Sequence, residues 1–185
     1  FIQKSSRQGS EPEIKHLECK HNVIFEQNQF LNEIHQLRVV GEVANFKAEK
    51  QTGKTVASGP GIVRVWRMRP PGSKSEGPLP LIQTSSRPDK NAETRPWEYQ
   101  EVRFRNQMQG NFTQRFTTFV GGVQVIYGPV SLPTEMVPLD DLPPGGGTMD
   151  CNELQITQQG ESEEGSFHLL GKGNVRLEGF GFHAR

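Results

Sequence analysis

Hydrophobic and polar residues alternate along this chain in short runs of period two, cut repeatedly by Gly, Pro and Asn. That is the pattern of strands joined by turns. Three segments carry it most clearly. Ala44-Asn45-Phe46-Lys47-Ala48 leads through Lys50-Gln51-Thr52-Gly53 into Lys54-Thr55-Val56-Ala57-Ser58; Gly59-Pro60-Gly61 interrupts, and Ile62-Val63-Arg64-Val65-Trp66-Arg67 resumes. Arg115-Phe116-Thr117-Thr118-Phe119-Val120 runs to Gly121-Gly122 and continues as Val123-Gln124-Val125-Ile126-Tyr127. Phe167-His168-Leu169-Leu170 meets Gly171-Lys172-Gly173 before Val175-Arg176-Leu177-Glu178.

All three segments state one theme: a strand, closely spaced glycines, then an apolar–polar–apolar triplet. Side chains alternate faces along a strand, so Val63, Val65, Val123, Val125, Val175 and Leu177 are expected on one sheet face, with Arg64, Gln124 and Arg176 on the other. Closely spaced glycines suit a bulge or sharp bend, where positive φ or close backbone approach is needed. A sheet bent at one level in successive hairpins curls. The pattern therefore predicts an all-β fold: a jellyroll, a half-open sandwich or a rolled sheet of stacked hairpins.

One window reads both ways. In residues 24–38, Phe30, Ile34 and Leu37 would share a helix face, while Val23, Phe25 and β-rich neighbours favour strand. Two stretches break the pattern. Residues 69–96 contain six prolines and few large apolar side chains, too few to offset the entropy of ordering them, which predicts a long flexible loop. Residues 128–147 are a second Pro/Gly-rich excursion, expected to be ordered through packing of Val130, Leu132, Met136 and Leu139.

The length of 185 residues fits a single domain over 1–185. The chain opens at Phe1 without Met and closes at Arg185, from which we expect a fragment of a longer chain. Hydrophobic content of 32% and a mean hydropathy of −0.64 suit a thin β core rather than a thick two-sided one. Basic and acidic residues balance at 21 each, which argues against a nucleic-acid groove. Apolar runs fall well short of the roughly 20 residues of a membrane helix, so no transmembrane segment is expected. Cys19 and Cys151 lie in strand-like runs and read first as buried free thiols, with a disulfide as the alternative.

Candidate chemistry is sparse. His16, Cys19 and His21 look like metal ligands, but an extended strand puts His16 beside Glu18 and points Cys19 and His21 the other way. Gln51-Thr52-Gly53-Lys54-Thr55 ends like a phosphate-binding loop, yet position 48 is Ala48 rather than glycine and the segment joins two strands, so it reads as a hairpin turn. Asn111-Phe112-Thr113 is a formal sequon that recurs by chance. Asp140-Asp141 and Glu161-Ser162-Glu163-Glu164 lie beside Pro or Gly, where water screens them and no cleft separates their pKa values. No nucleophile elbow or metalloprotease motif occurs. The sequence predicts no catalytic residues, no metal and no cofactor.

The string Val40-Gly41-Glu42-Val43-Ala44-Asn45-Phe46-Lys47-Ala48 through Gly53-Lys54-Thr55-Val56-Ala57-Ser58-Gly59-Pro60-Gly61 resembles the OstA-like, or LptA-like, family (organic solvent tolerance, periplasmic lipopolysaccharide transport). So does Leu169-Leu170-Gly171-Lys172-Gly173-Asn174-Val175-Arg176-Leu177-Glu178-Gly179 with Phe182-His183-Ala184-Arg185. The likeness covers mainly residues 37–68 and 101–185, and the Pro-rich stretches depart from it. It implies an open antiparallel β-jellyroll that holds acyl chains inside and pairs end to end through its edges, in a divergent bacterial member located in the periplasm or cell envelope. The partners so implied are lipid or lipopolysaccharide and other β-jellyroll domains. On this reading the six triplet residues Val63, Val65, Val123, Val125, Val175 and Leu177 line the ligand-binding face; they could equally form the domain's own core. A second reading is a β-sandwich module binding carbohydrate or protein, with Trp66, Trp97, Tyr99 and Tyr127 as contact aromatics.

Overall fold

A computed structural model describes residues 14–31, 34–69, 96–158 and 167–179. The elements are β1 (His16–Leu31), β2 (Ile34–Glu49), β3 (Lys54–Met68), β4 (Trp97–Phe104), β5 (Gln107–Asn111), β6 (Phe116–Val130), β7 (Gly147–Gln158), β8 (Phe167–Lys172) and β9 (Arg176–Gly179). No described residue is helical, and no helix is long and apolar enough to cross a membrane. The described residues of the window 24–38 are strand: they belong to β1 and β2, which pair with each other. Phe30 is left exposed there, with no helical face to join. The loop expected at 69–96 lies almost wholly outside the described residues.

The strands form one antiparallel sheet in the order β1-β2-β3-β4-β6-β7-β8. β5 pairs with β3 and β6, and β9 pairs with β7, so β3, β4, β6 and β5 close a circuit of antiparallel pairings. Registers show how this arises. Lys54 to Ser58 on β3 face β5, and Gly61 to Met68 face β4; on β6 the division falls between Val120 and Gln124. β4 and β5 thus lie end to end in one row, as do β8 and β9 beside β7.

A crease crosses the sheet at these breaks. On β1 it is marked by His21 and Asn22, both at positive φ, within a register shift from Lys20 to Val23. On β2 a shift falls between Val43 and Asn45; Gly59-Pro60 lies there on β3, Arg105-Asn106 between β4 and β5, Gly121-Gly122 on β6 and Gly173-Asn174 between β8 and β9. The glycine-bearing positions expected to bend the strands therefore do so, although their three triplets sit on or beside β3, β6 and β9, which are not neighbours.

The backbone stays satisfied through the crease, as buried polar groups require. Gly59 N–H donates to Asn106 O (2.6 Å), Arg105 N–H to Gly121 O (3.0 Å), and Asn106 N–H to Val120 O (3.1 Å). Where the ladder fails between β1 and β3, Asn45 substitutes: its Oδ1 accepts from His21 N–H (3.3 Å) and its Nδ2 donates to Ser58 Oγ (3.3 Å).

Apolar residues from both sides of the crease form one core, including Ala57, Met108, Phe119 and Leu154 from the β5 half and Val63, Val102, Val125 and Met149 from the β4 half. Among the described residues no separate layer covers this face, so the two halves cover each other. The β4 half is also covered on its outer face. There Trp66, Trp97, Tyr99, Ile126 and Val130 pack under Val137 and Leu142 of the strap 131–146. The strap is ordered, as expected, and Val130 is buried as expected, but Leu132, Met136 and Leu139 are exposed and Val137 packs down in their place. Residues 131–146 are turns and irregular backbone, with φ fixed at Pro133 and Pro138, so period-two counting does not carry through them.

Gly121 and Gly122 allow a direct test of the crease. Both have positive φ, and a Cβ at Gly121 would lie 2.3 Å from the Asn106 side chain, whereas one at Gly122 meets only ordinary contact with Arg105. Gly122→Ala should cost about 1–2 kcal/mol from backbone strain alone, and Gly121→Ala clearly more. Urea denaturation of both variants checks the order; equal losses would mean that Asn106 does not fill the position.

Candidate functional site

The inner face of the β4 half is built from pairs that line up across the sheet. Phe25 faces Gly41, Gly41 faces Val63, Val63 faces Val102, Val102 faces Val125, Val125 faces Met149, and Met149 faces Leu177. This apolar row runs from one sheet edge to the other. Gly41 is required in it, because a Cβ there would fall 2.0 Å from the Phe25 ring. A second row joins Cys19, Phe46, Ala57, Met108, Phe119, Leu154 and Gly171 in the β5 half.

Five of the six triplet residues take this face by register or strand alternation, and Val175, two residues before Leu177, lies against the position of Gly171. Their surroundings differ. Val63, Val123 and Val125 are buried within the domain's core and Val65 is half-buried, whereas Val175 and Leu177 are 48% and 37% exposed at the β9 edge. At the opposite edge Leu17 is also exposed. The wall is thus closed at its centre and open at both margins. Away from the crease it turns polar: Val65 pairs with Gln100, and Arg67 with Glu98. Glu98 accepts from Arg69 Nε (3.2 Å) and the Tyr127 hydroxyl (3.3 Å). Burial pushes the Tyr127 hydroxyl pKa upward, and the nearby Glu98 charge adds to the effect.

The crease also carries a groove of about 880 Å³. It crosses the sheet from Asn22 through Ala44, Pro60, Arg105 and Gly122 to Asn152. Its lining mixes amides, apolar groups and charges of both signs, with no cluster of three or more His, Cys, Asp or Glu side chains fit for a metal among the described residues.

The outer face of the same half holds an ion-pair network that alternation implied in part. Arg64, the polar centre of its triplet, faces outward as expected. Its partner Glu101 is 2% exposed and was not anticipated. Glu101 accepts from Arg64 Nε (2.8 Å), the Tyr99 hydroxyl (2.7 Å) and Arg103 Nε (2.6 Å), while Arg64 also pairs with Glu42. The signal was present: in Trp97-Glu98-Tyr99-Gln100-Glu101-Val102-Arg103, Glu101 shares a face with Trp97 and Tyr99. Burial alone would raise the Glu101 pKa, but the three hydrogen bonds outweigh it and hold the carboxyl below the usual range.

Other candidates separate in the fold. Trp66, Trp97, Tyr99 and Tyr127 are all buried. They do not form the exposed platform that the carbohydrate reading needs, and Trp66 belongs to a second packed layer. His16 and Glu18 lie 4.0 Å apart, as alternation requires. Gly53 sits at positive φ in the β2–β3 turn, between strands rather than before a helix. Asn111 closes the β5–β6 turn, accepting from Gln114 N–H (2.8 Å). Asp140-Asp141 is exposed, and Glu161–Glu164 falls outside the described residues. Cys19 and Cys151 are free thiols on the inner face, and burial pushes the Cys151 thiol up. No protein-family model, curated protein or solved structure matches the chain.

Removing Glu101 leaves Arg64 without a buried counter-charge, so Glu101→Ala should destabilise the domain by about 3–5 kcal/mol. Because the folded-state pKa is depressed, the carboxylate's contribution is complete above the unfolded carboxyl pKa and drains away as pH falls below it. The urea midpoint should therefore drop more steeply between about pH 5 and pH 3 in the parent than in Glu101→Gln. Parallel profiles would show that Glu101 gains nothing from its partners.

Proposed function

We propose that this chain is a non-catalytic module of the bacterial cell envelope: an open antiparallel β-jellyroll that takes the acyl chains of a lipid or lipopolysaccharide along its inner wall and pairs with neighbouring β-jellyroll domains through its edges. The observation that carries the reading is the apolar row from Phe25 to Leu177, continuous across the sheet and uncovered at the β9 margin. Acyl chains need an apolar wall without fixed polar partners, and the contribution scales with the area covered.

Edge pairing follows from topology. Among the described residues β1 pairs with β2 alone, and β8 and β9 with β7 alone, so both margins of the described sheet offer backbone groups for strand addition. The crease runs off both margins, at His21-Asn22 and at Gly173-Asn174. A straight strand could follow only half of either edge, whereas another creased sheet could follow all of it. This favours β-jellyroll neighbours over extended peptides, and a lipid-transport or scaffolding role in the periplasm or envelope.

Substitution at the open margin tests the lipid role without disturbing the packed centre. Leu177→Arg and Val175→Arg should each reduce capture of a benzophenone-bearing lipid A analogue several-fold, with the melting temperature close to that of the parent. Capture that persists undiminished in both folded variants would remove the inner wall from the function.

A further inference from the structure

Charge is balanced over the whole chain but not along it. Residues 116–171 contain no Lys or Arg and eight Asp or Glu, whereas residues 1–115 carry 18 basic against 12 acidic side chains. In the sheet β6 and β7 are neighbours beyond β4, and the strap that joins them reaches back over β2–β4, packing against Val40, Trp66 and Tyr99. The strap itself contains no Lys or Arg, and its Glu135, Asp140 and Asp141 are exposed.

The same strap exposes three large apolar side chains within eight residues: Leu132 at 55%, Met136 at 61% and Leu139 at 46%. Loose attachment does not explain this, because the strap is pinned. Trp66 Nε1 donates to Glu135 O (2.6 Å), and Arg38 donates to Pro133 O (3.0 Å) while its guanidinium lies 5.1 Å from the centre of the Trp66 ring. Glu135 Oε2 accepts from Ser131 N–H (2.8 Å), and Val137 is buried beneath. Arg38, the basic side chain that touches the strap, is tucked under it rather than displayed. Apolar groups held outward on a fixed backbone lose little further entropy when they are covered, which is the economy of a preformed binding surface.

We propose that the strap 131–146 docks a cationic, leucine-rich polypeptide segment of a partner protein, with Leu132, Met136 and Leu139 as apolar contacts and Asp140 and Asp141 as charge partners. Charge complementarity selects this occupant. A strap with acidic groups and no base of its own disfavours anionic lipid headgroups and acidic peptides, and attracts Lys- or Arg-bearing chains. The strap lies on the outer face of the β4 half, opposite the inner wall, so the proposal stands independently of lipid binding.

The test uses the full chain and a fluorescein-labelled peptide of alternating leucine and lysine, read by anisotropy, with Leu/Glu and Ser/Lys peptides of equal length as controls. The Leu/Lys peptide should bind saturably, and its affinity should fall by about tenfold in Leu132→Ser/Met136→Ser/Leu139→Ser and by a similar factor in Asp140→Asn/Asp141→Asn. Raising the salt should weaken it further. Both variants alter exposed side chains, so unchanged melting temperatures are expected to confirm that they fold. The proposal is overturned if the Leu/Lys peptide fails to bind, if either control peptide binds as tightly, or if the folded variants bind like the parent. It is also overturned if the three apolar residues instead mediate self-association or capture of phosphatidylcholine vesicles while the peptide does not bind.

Discussion

The structure depends on hydrogen-bond coupling between neighbouring strands at the crease. A strand in a ladder cannot bend alone, because its partners' donors and acceptors would be left behind. If one strand of this sheet yields, those beside it must yield at the same level. Each does so by a different local device: left-handed residues at His21-Asn22, a register shift on β2, Gly59-Pro60 on β3, a complete break at Arg105-Asn106, and paired positive-φ glycines on β6. Different chemistry at each strand produces one common line, and the fold follows from that line.

Bending determines where the hydrophobic effect acts. A flat sheet of this composition would bury little, since apolar residues make up only 32% of the chain. Creased, its two half-faces bury one another, and a single alternating pattern supplies both walls of the core. The outer face of the β4 half then needs cover of its own. It obtains this from the aromatic cluster around Trp66 and from a strap whose backbone carbonyls satisfy the Trp66 indole and the Arg38 guanidinium. Glu101 fits the same layer because Arg64, Tyr99 and Arg103 all donate to its carboxylate.

Much of this was legible in the chain. Period-two alternation placed the triplet valines on one face, and the Gly59-Pro60-Gly61, Gly121-Gly122 and Gly171-Lys172-Gly173 breaks marked the bends, because glycine tolerates positive φ, as at Gly121, Gly122 and Gly173, and close approach, as at Gly59 and Gly61. Other features were not legible, for physical reasons. The bends at His21-Asn22 and Arg105-Asn106 use residues whose left-handed or irregular conformation is imposed by neighbouring strands. The strap's buried residue is Val137 rather than Leu132, Met136 or Leu139, since proline-directed loops have no fixed side-chain period. The same six residues read as a candidate wall divide into a closed centre and an open margin only once their neighbours are known. Glu101 was missed because an acid in an alternating strand reads as solvated until its cross-strand partner Arg64 is identified.

The cover on the outer face is one-sided. The β4 half carries a second layer, whereas on the β5 half the outward positions of Lys54, Gln109 and Asn111 are exposed or half-buried, and no strap overlies them among the described residues. One leaf of the folded sheet is therefore double-skinned and the other single-skinned. Resistance to bending rises with the number of packed layers, so the thin leaf is the compliant one. Any widening of the space between the leaves would be taken up by the β5 side, with the thick leaf serving as the fixed frame.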